Sequence, residues 1–359
     1  MTVRIAVDGM GGDYAPEEVV AGAVQAASSL GVEIVLAGPV SRLAPLLRRG
    51  GARRLPIEVV DAPEVIEMHE PPAAAVRRKR RSSIHLALQQ VREGRAAAAV
   101  SAGNTGAVMG AALLVLGRIP AVERPAIGAI LPTLHKTPAI LLDVGANVDC
   151  KPRHLLQFGV MGHVYAHRVL GIPAPRVALL SNGEEANKGN EVTIRAADLL
   201  RASGLNFIGN VEGRDFFTGL ADVVVCDGFV GNIVLKFGEG LALALRQVLR
   251  DELGRAAGKL LLPLYLAPLK WRGMTLWRRL DYREYGGAPL LGVGGIVIVA
   301  HGRSNAWAIR NAIRVAAEAA ARQLVEPIAE KMAEVEGRMG PVPATLGPRP
   351  VPPPGGAER

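Results

Sequence analysis

Aromatic side chains are scarce in this sequence, 4% of 359 residues. Its interior therefore has to be filled by small and branched aliphatic residues, which suit parallel strands buried under helices. Cysteine is nearly absent, with only Cys150 and Cys226. Their separation fits no metal site, and a reducing compartment is the simple reading. The sequence has no Walker A loop, no GxGxxG turn after its first strand, no GxSxG elbow and no metal-binding histidine pair. The usual signs of nucleotide, nicotinamide, serine-hydrolase and zinc chemistry are thus missing. The seven histidines are scattered, and His301 alone stands at a strand end. The first residues enter a strand at once, with no basic-then-apolar leader. A charge-free stretch, 96–117, is long enough to suggest a membrane span, but Ser101, Asn104, Thr105 and four glycines lie within it. Polar groups at bilayer depth are costly, so a strand, a turn and a helix fit that stretch better.

What is present is abundant apolar residue, 49% of the chain, enough for a large core. Strand-like runs begin at Val3, Val32, Ile57, Ala96, Ala126, Ala139, Arg176, Asn206, Asp222 and Gly295, and helical patterns separate most of them. This alternation predicts an α/β fold, a mostly parallel sheet with helices on both faces. No linker divides residues 1–336, which read as a single catalytic domain. Residues 337–359 are rich in Pro and Gly and read as a disordered tail.

Strand ends are where an open α/β sheet binds ligands, and here they are rich in Gly, Asn and Asp. The first such loop is DGMGGD, 8–13, in which glycines permit close backbone approach and Asp13 can orient a polar group; a plain tight turn is the other reading. The second, SAGNTG, 101–106, opens an apolar helix. Its main-chain N–H groups at Gly103 and beyond, with Ser101, Asn104 and Thr105, suit an anion; simple N-capping is the alternative. DVGAN, 143–147, ends in Asn147, and GEEANKGN, 183–190, carries Lys188. Lys188 can set a positive charge against phosphate, or pair with Glu184 or Glu185. DGFVGN, 227–232, brings Asp227, Gly231 and Asn232 to another strand-to-helix junction. Loops of this kind at successive strand ends predict one polar cleft.

Taken together, these loops resemble the bacterial phosphate acyltransferases of phospholipid synthesis. The matching motifs are DGMGGDYAP (8–16), SAGNTGA (101–107), LDVGANVDCKPRHL (142–155) and GEEANKGNE (183–191). NFIGNVEGRD (206–215), DVVVCDGFVGN (222–232), LDYREYGGAPLLGV (280–293) and HGRSN (301–305) follow in the family's order. Gly9 departs from the family's usual Ala, and Ser181-Asn182 from its usual Asn-Ile. The resemblance implies a fold like that of phosphotransacetylases and of isocitrate and isopropylmalate dehydrogenases. It implies transfer of a long fatty acyl group from acyl carrier protein to inorganic phosphate, giving acyl phosphate. It further implies a homodimer, peripheral membrane association from the cytoplasm, no cofactor and no metal. A membrane acyltransferase that acylates glycerol 3-phosphate would take the product.

The residue chemistry suits that reaction. Phosphate brings its own nucleophilic oxygen and a thiolate leaves readily, so positioning and oxyanion stabilisation are what the protein must supply. Lys188 and Asn232 are the catalytic candidates, Lys188 against the phosphate and Asn232 orienting it or the oxyanion. Asp13, Ser101, Gly103, Asn104, Thr105, Asn147, Asp227, Gly231 and His301 are the phosphate- and substrate-binding candidates. The basic run Arg77, Arg78, Lys79, Arg80 and Arg81 suits docking of an acidic carrier protein, or is a solvated helix face. No aromatics interleave with it, which argues against nucleic acid. Residues 259–280 mix leucines, Tyr265 and tryptophans with Lys270, Arg272, Arg278 and Arg279 around Pro263 and Pro268. That composition suits an interfacial membrane contact through Leu262, Leu266 and Trp271, or a packing or dimer segment. Two rival functions remain, a short-chain phosphotransacetylase using coenzyme A and a non-catalytic membrane scaffold.

Overall fold

The computed structural model describes residues 2–134, 137–257 and 286–339. The predicted membrane-contact residues Leu262, Leu266 and Trp271 lie outside them, as does the tail from residue 340.

The strands are β1 Arg4–Asp8, β2 Glu33–Gly38, β3 Ile57–Asp61, β4 Ala98–Ser101, β5 Ala126–Leu131, β6 Ala139–Leu142, β7 Val177–Leu180, β8 Phe207–Val211, β9 Val223–Val225, β10 Ala288–Leu291 and β11 Ile296–Val299. They form one sheet in the order β3-β2-β1-β4-β11-β10-β5-β6-β9-β7-β8. All ten runs expected from the sequence are strands. The eleventh, β10, is APLL, in which Pro289 and the flanking glycines disguise the strand as a turn.

Direction is what the sequence concealed. β3, β2, β1, β4 and β11 are mutually parallel. β6, β9, β7 and β8 are also mutually parallel. Between the two sets, β10 is antiparallel to β11 and to β5, and β5 is antiparallel to β6. Three reversals make the second set run opposite to the first, so the carboxyl ends of the two sets lie on opposite edges of the sheet.

Helices cover both faces, as the continuous burial of the central strands requires. On one face, α1 (Glu17–Ser29) and α9 (Ala306–Ala321) pack over Ile5, Val7, Ala98 and Val100. Farther along that face, α6 (Pro152–Arg168), α7 (Glu191–Ala202) and α10 (Val325–Met339) cover Ile140, Leu142, Val177 and Val225. On the other face, α4 (Ser83–Arg92) and α5 (Thr105–Val115) lie over Ala99, Val297 and Leu290. The short α3 (Pro72–Arg78) packs on α5, and α2 (Val40–Arg49) lies beside α1 on the first face. α10 extends to Met339, three residues beyond the boundary expected at 336. Stretch 96–117 is β4, a turn and α5, as expected, and not a single span.

The longest helix is α8, Gly228–Ala257. Phe229, Ile233, Phe237, Leu241 and Leu245 follow each other at intervals of four along it and all are exposed. The part Gly228–Leu245 is long and apolar enough, by length and composition, to cross a membrane.

Candidate functional site

Each edge of the sheet gathers one set of polar loops, so the loops form two clusters and not the single cleft expected. The reversals at β10 and β5 are the cause. At one edge stand the loops after the neighbouring strands β1, β4 and β11. Asp8 is 3% exposed and accepts the hydroxyl of Ser101 at 2.7 Å and the Met10 N–H at 3.2 Å. Gly103 N–H donates to the Ser101 hydroxyl oxygen at 3.1 Å, and Asp13 N–H to the Gly302 carbonyl at 2.8 Å. Burial pushes the Asp8 carboxyl up, while the Ser83 and Ser101 hydroxyls and the Met10 and Gly11 N–H groups pull it back. A Cβ on Gly11 would stand 2.6 Å from Asp8 Oδ2, so only glycine lets these loops close.

Several candidates at this edge hold the loops together. Ser101 is buried and spends its hydroxyl on Asp8. Asn104 caps α5, accepting Ala107 N–H at 3.1 Å, and donates its amide to the Met68 carbonyl at 2.8 Å. The N-capping reading is therefore the one the geometry realises for Asn104. Asp13, Thr105 and His301 are exposed, and His301 Nδ1 accepts the Arg303 N–H at 3.1 Å.

At the opposite edge stand the loops after β6, β9 and β7, which are neighbours about 5 Å apart. This edge collects Asp143, Asn147, Lys188, Asp227, Gly231 and Asn232. Asn147 is buried, and its amide donates to the Pro125 carbonyl at 2.7 Å and to Asp143 Oδ2 at 3.0 Å. Its donors are thus taken by the loop and not offered to a ligand. Asp227 accepts the Val230 N–H at 2.8 Å and so caps the first turn of α8. Gly231 is required by packing, since a Cβ there would overlap the Asp143 carbonyl oxygen.

Two groups remain for chemistry. Lys188 is exposed, and among the described residues no carboxylate lies within ion-pair distance of it. Glu184 turns to Arg214 at 3.5 Å, and the pairing of Glu184 or Glu185 with Lys188 is not formed. Asn232, half-buried in the first turn of α8, makes no side-chain hydrogen bond among the described residues; its amide lies beside Gly145. A cation and an amide donor at adjacent strand ends match what phosphate and an oxyanion need.

Neither cysteine sits where its thiol would be activated. Burial pushes the Cys150 thiol up to about 12, helped by the charges of Asp143 and Asp227. Burial likewise holds the Cys226 thiol well above its ordinary value. Only thiolates attack readily, and this environment disfavours the thiolate at both sulfurs. No cluster of three or more His, Cys, Asp or Glu side chains that could hold a metal ion occurs among the described residues.

The basic run lies close to the first edge, because Met68 carries Asn104 and α3 packs on α5. Its members differ. Lys79 is half-buried, ion-paired to Glu70 and donating to the Val65 carbonyl at 2.6 Å. Arg78 also reaches Glu70, at 3.1 Å. Arg77, Arg80 and Arg81 are exposed and have no carboxylate partner among the described residues. Lys79 is therefore a structural cation and not a docking one.

Sequence reasoning passed over Asp8 and Asp143 as anchors, although each is the aspartate that ends an apolar strand just before a Gly-rich turn. That position is the available signal, because a carboxylate buried there needs the N–H groups of the turn.

A polar edge of this kind on a sheet of two opposed parallel sets defines an α/β protein of the phosphotransacetylase fold. The chain overlays a phosphotransacetylase from Streptococcus pyogenes with a TM-score of 0.61 at 18% identity, covering 89% of this chain and 94% of that one. The EutD phosphotransacetylase from Staphylococcus aureus overlays with a TM-score of 0.58 at 16% identity, covering 89% and 94%. A model of the family described as "Fatty acid synthesis protein" matches residues 3–326. "Phosphate acyltransferase" of Pelotomaculum thermopropionicum is 55% identical over 335 residues, 93% of this chain and 96% of that protein. "Phosphate acyltransferase" of Heliobacterium modesticaldum is 53% identical over 341 residues, 95% of this chain and 100% of that protein. The chain belongs to the phosphate acyltransferase family of enzymes.

Proposed function

We propose that this enzyme transfers a long-chain fatty acyl group from acyl carrier protein to inorganic phosphate, at the edge that carries Lys188 and Asn232. The observation that carries the reading is the pair itself, a cation without a carboxylate partner and an uncommitted amide at adjacent strand ends, beside two thiols whose ionisation is disfavoured. A phosphate oxygen attacks the thioester carbonyl. Lys188 neutralises the phosphate, and Asn232 orients it or donates to the tetrahedral oxyanion. Collapse breaks the C–S bond, the acyl group stays on phosphate, and the thiolate leaves and takes a proton from solvent. No protein nucleophile is consumed.

The carrier docks through the exposed Arg77, Arg78, Arg80 and Arg81, whose charge complements an acidic partner. Two copies pair through the exposed apolar ridge of α8, and residues 259–280 rest in the lipid interface from the cytoplasmic side. Acyl phosphate is then passed to the membrane enzyme that acylates glycerol 3-phosphate.

The test is direct. Palmitoyl carrier protein plus phosphate, without nucleotide or added metal, should yield acyl phosphate that hydroxylamine traps as a hydroxamate. Acetyl coenzyme A should be a poor donor. Preference for acetyl coenzyme A would make this a short-chain phosphotransacetylase, and no hydroxamate from either donor would favour the scaffold.

A further inference from the structure

We propose that Asp143 is a positioning residue that sets the place of Asn232, an inference that rests on the catalytic reading of Asn232. Asp143 follows β6 and is 0% exposed. A carboxylate taken wholly out of water is tolerated only when its oxygens are satisfied. Here the turn that follows curls around it. Asp143 Oδ1 accepts N–H groups from Ile127 at 2.9 Å, Ala146 at 3.1 Å and Gly145 at 3.3 Å. Oδ2 accepts the Asn147 N–H at 2.7 Å and its side-chain amide at 3.0 Å.

The curled turn is the seat of α8. Gly228 N–H donates to the Asn147 carbonyl at 2.7 Å, and a Cβ on Gly228 would stand 2.7 Å from Asp143 Oδ2. Cys226, just before α8, donates its thiol to the Asp143 carbonyl at 3.3 Å, and Asp143 N–H donates to the Cys226 carbonyl at 2.9 Å. Gly231 packs its Cα against the same Asp143 carbonyl. Asn232 is the next residue, and a Cβ on Gly145 would lie 3.8 Å from its side-chain carbon. The chain of contact is therefore short: carboxylate, turn, first helical turn, amide. Misplacement of a catalytic donor by a fraction of an ångström is costly, so loosening this seat is read as lost turnover.

The experiment is a double-mutant cycle with hydroxamate formation from palmitoyl carrier protein and phosphate as readout. Asp143→Asn keeps the shape but turns an amide N–H toward donors that now lack an acceptor. Its kcat should fall on the order of tenfold or more, with the KM for phosphate changed far less. In an Asn232→Ala background, assayed at raised enzyme concentration, the further loss should shrink to about twofold or less, because the group being positioned is gone. Cys226→Ala is a milder probe of the same seat and should show the same dependence on Asn232, which keeps the test available if Asp143→Asn does not fold. Equal fractional losses in both backgrounds would overturn the proposal and leave Asp143 a folding residue. Wild-type turnover in Asn232→Ala alone would instead remove the catalytic reading of Asn232, and the positioning role with it.

Discussion

Glu184 points a carboxylate oxygen at the guanidinium of Arg214, 3.5 Å away. Lys188, four residues on in the same loop, is thereby left with its charge uncompensated by any carboxylate among the described residues. An exposed ion pair would be worth little, but an ammonium with no carboxylate partner, at the strand end next to the one that carries Asn232, is available to phosphate. Lys188→Ala should therefore cost turnover and not stability. Loss of a charge that acts in the transition state is worth about 2–4 kcal/mol, roughly 30- to 1000-fold in kcat. The check is kcat by hydroxamate assay beside a thermal unfolding midpoint. Near-normal turnover would return Lys188 to an ordinary surface role. Arg214→Ala should have little effect on kcat unless the freed Glu184 turns to Lys188.

The thiols give a second, independent prediction. Cys150 has its thiol pushed up to about 12 by burial first and by the nearby Asp143 and Asp227 charges second. Cys226 is shifted in the same direction by nearly complete burial. At pH 8 both are therefore protonated in the folded enzyme, whereas in the unfolded chain a thiol near its ordinary value ionises appreciably. Iodoacetamide at pH 8 should modify neither residue in the native protein and should leave activity intact, while both react in urea. Mass spectrometry of the intact protein reads the result. Rapid native alkylation with loss of activity would show a reactive thiolate and would reopen covalent catalysis.

Much of this was legible in the sequence, and the gaps have physical reasons. Ten strands announced themselves because most are apolar runs buried on both faces, with turn residues at their ends. β10 escaped because its APLL carries Pro289 and stands between Gly286-Gly287 and Gly292, a pattern that reads as a turn. Lys188 and Asn232 were singled out from residue type and position at strand ends, and the fold places both after neighbouring strands, β7 and β9. Direction was not legible: a strand reads the same to a periodicity argument whichever way it runs, so the reversals at β10 and β5, and with them the division of the polar loops between two edges, had to come from the pairing itself. Nor could the sequence say that Ser101, Asn104 and Asn147 spend their polar atoms inside their own loops, since that is decided by groups as remote as Asp8, Met68 and Pro125.

The basic run separates into two kinds of cation, and substitution should separate them too. Neutral replacement of Arg77, Arg80 and Arg81 should slow association with an acidic carrier protein. That effect should fade as salt rises, since exposed charges are screened over about 8–10 Å. Lys79→Ala should behave differently. It removes one of the two cations on Glu70 and the donor to the Val65 carbonyl, so it should lower thermal stability and affect carrier association little. Stopped-flow association at low and high salt, beside unfolding curves, makes the comparison. Equal and salt-independent behaviour of all variants would mean that the run is a solvated face.

The apolar ridge of α8 is the last point at which structure asks for a partner. Phe229, Ile233, Phe237, Leu241 and Leu245 recur every four residues, and Phe237 is 70% exposed. A spacing of four keeps side chains on one ridge of a helix, the geometry that interdigitates with a second helix. Covering a large apolar side chain is worth about 1.5–3 kcal/mol, so several together on an otherwise α/β surface favour association strongly. Two copies paired through this ridge would also bring each Asn232, one residue from Ile233, close to the contact. Replacing Phe237 and Leu241 together by Glu should therefore convert a dimer to a monomer in analytical ultracentrifugation. The circular dichroism spectrum should stay unchanged, because neither side chain is part of the core. If the wild-type protein is already monomeric, and the double variant instead loses binding to anionic vesicles, the ridge belongs to lipid and the pairing proposed here is wrong.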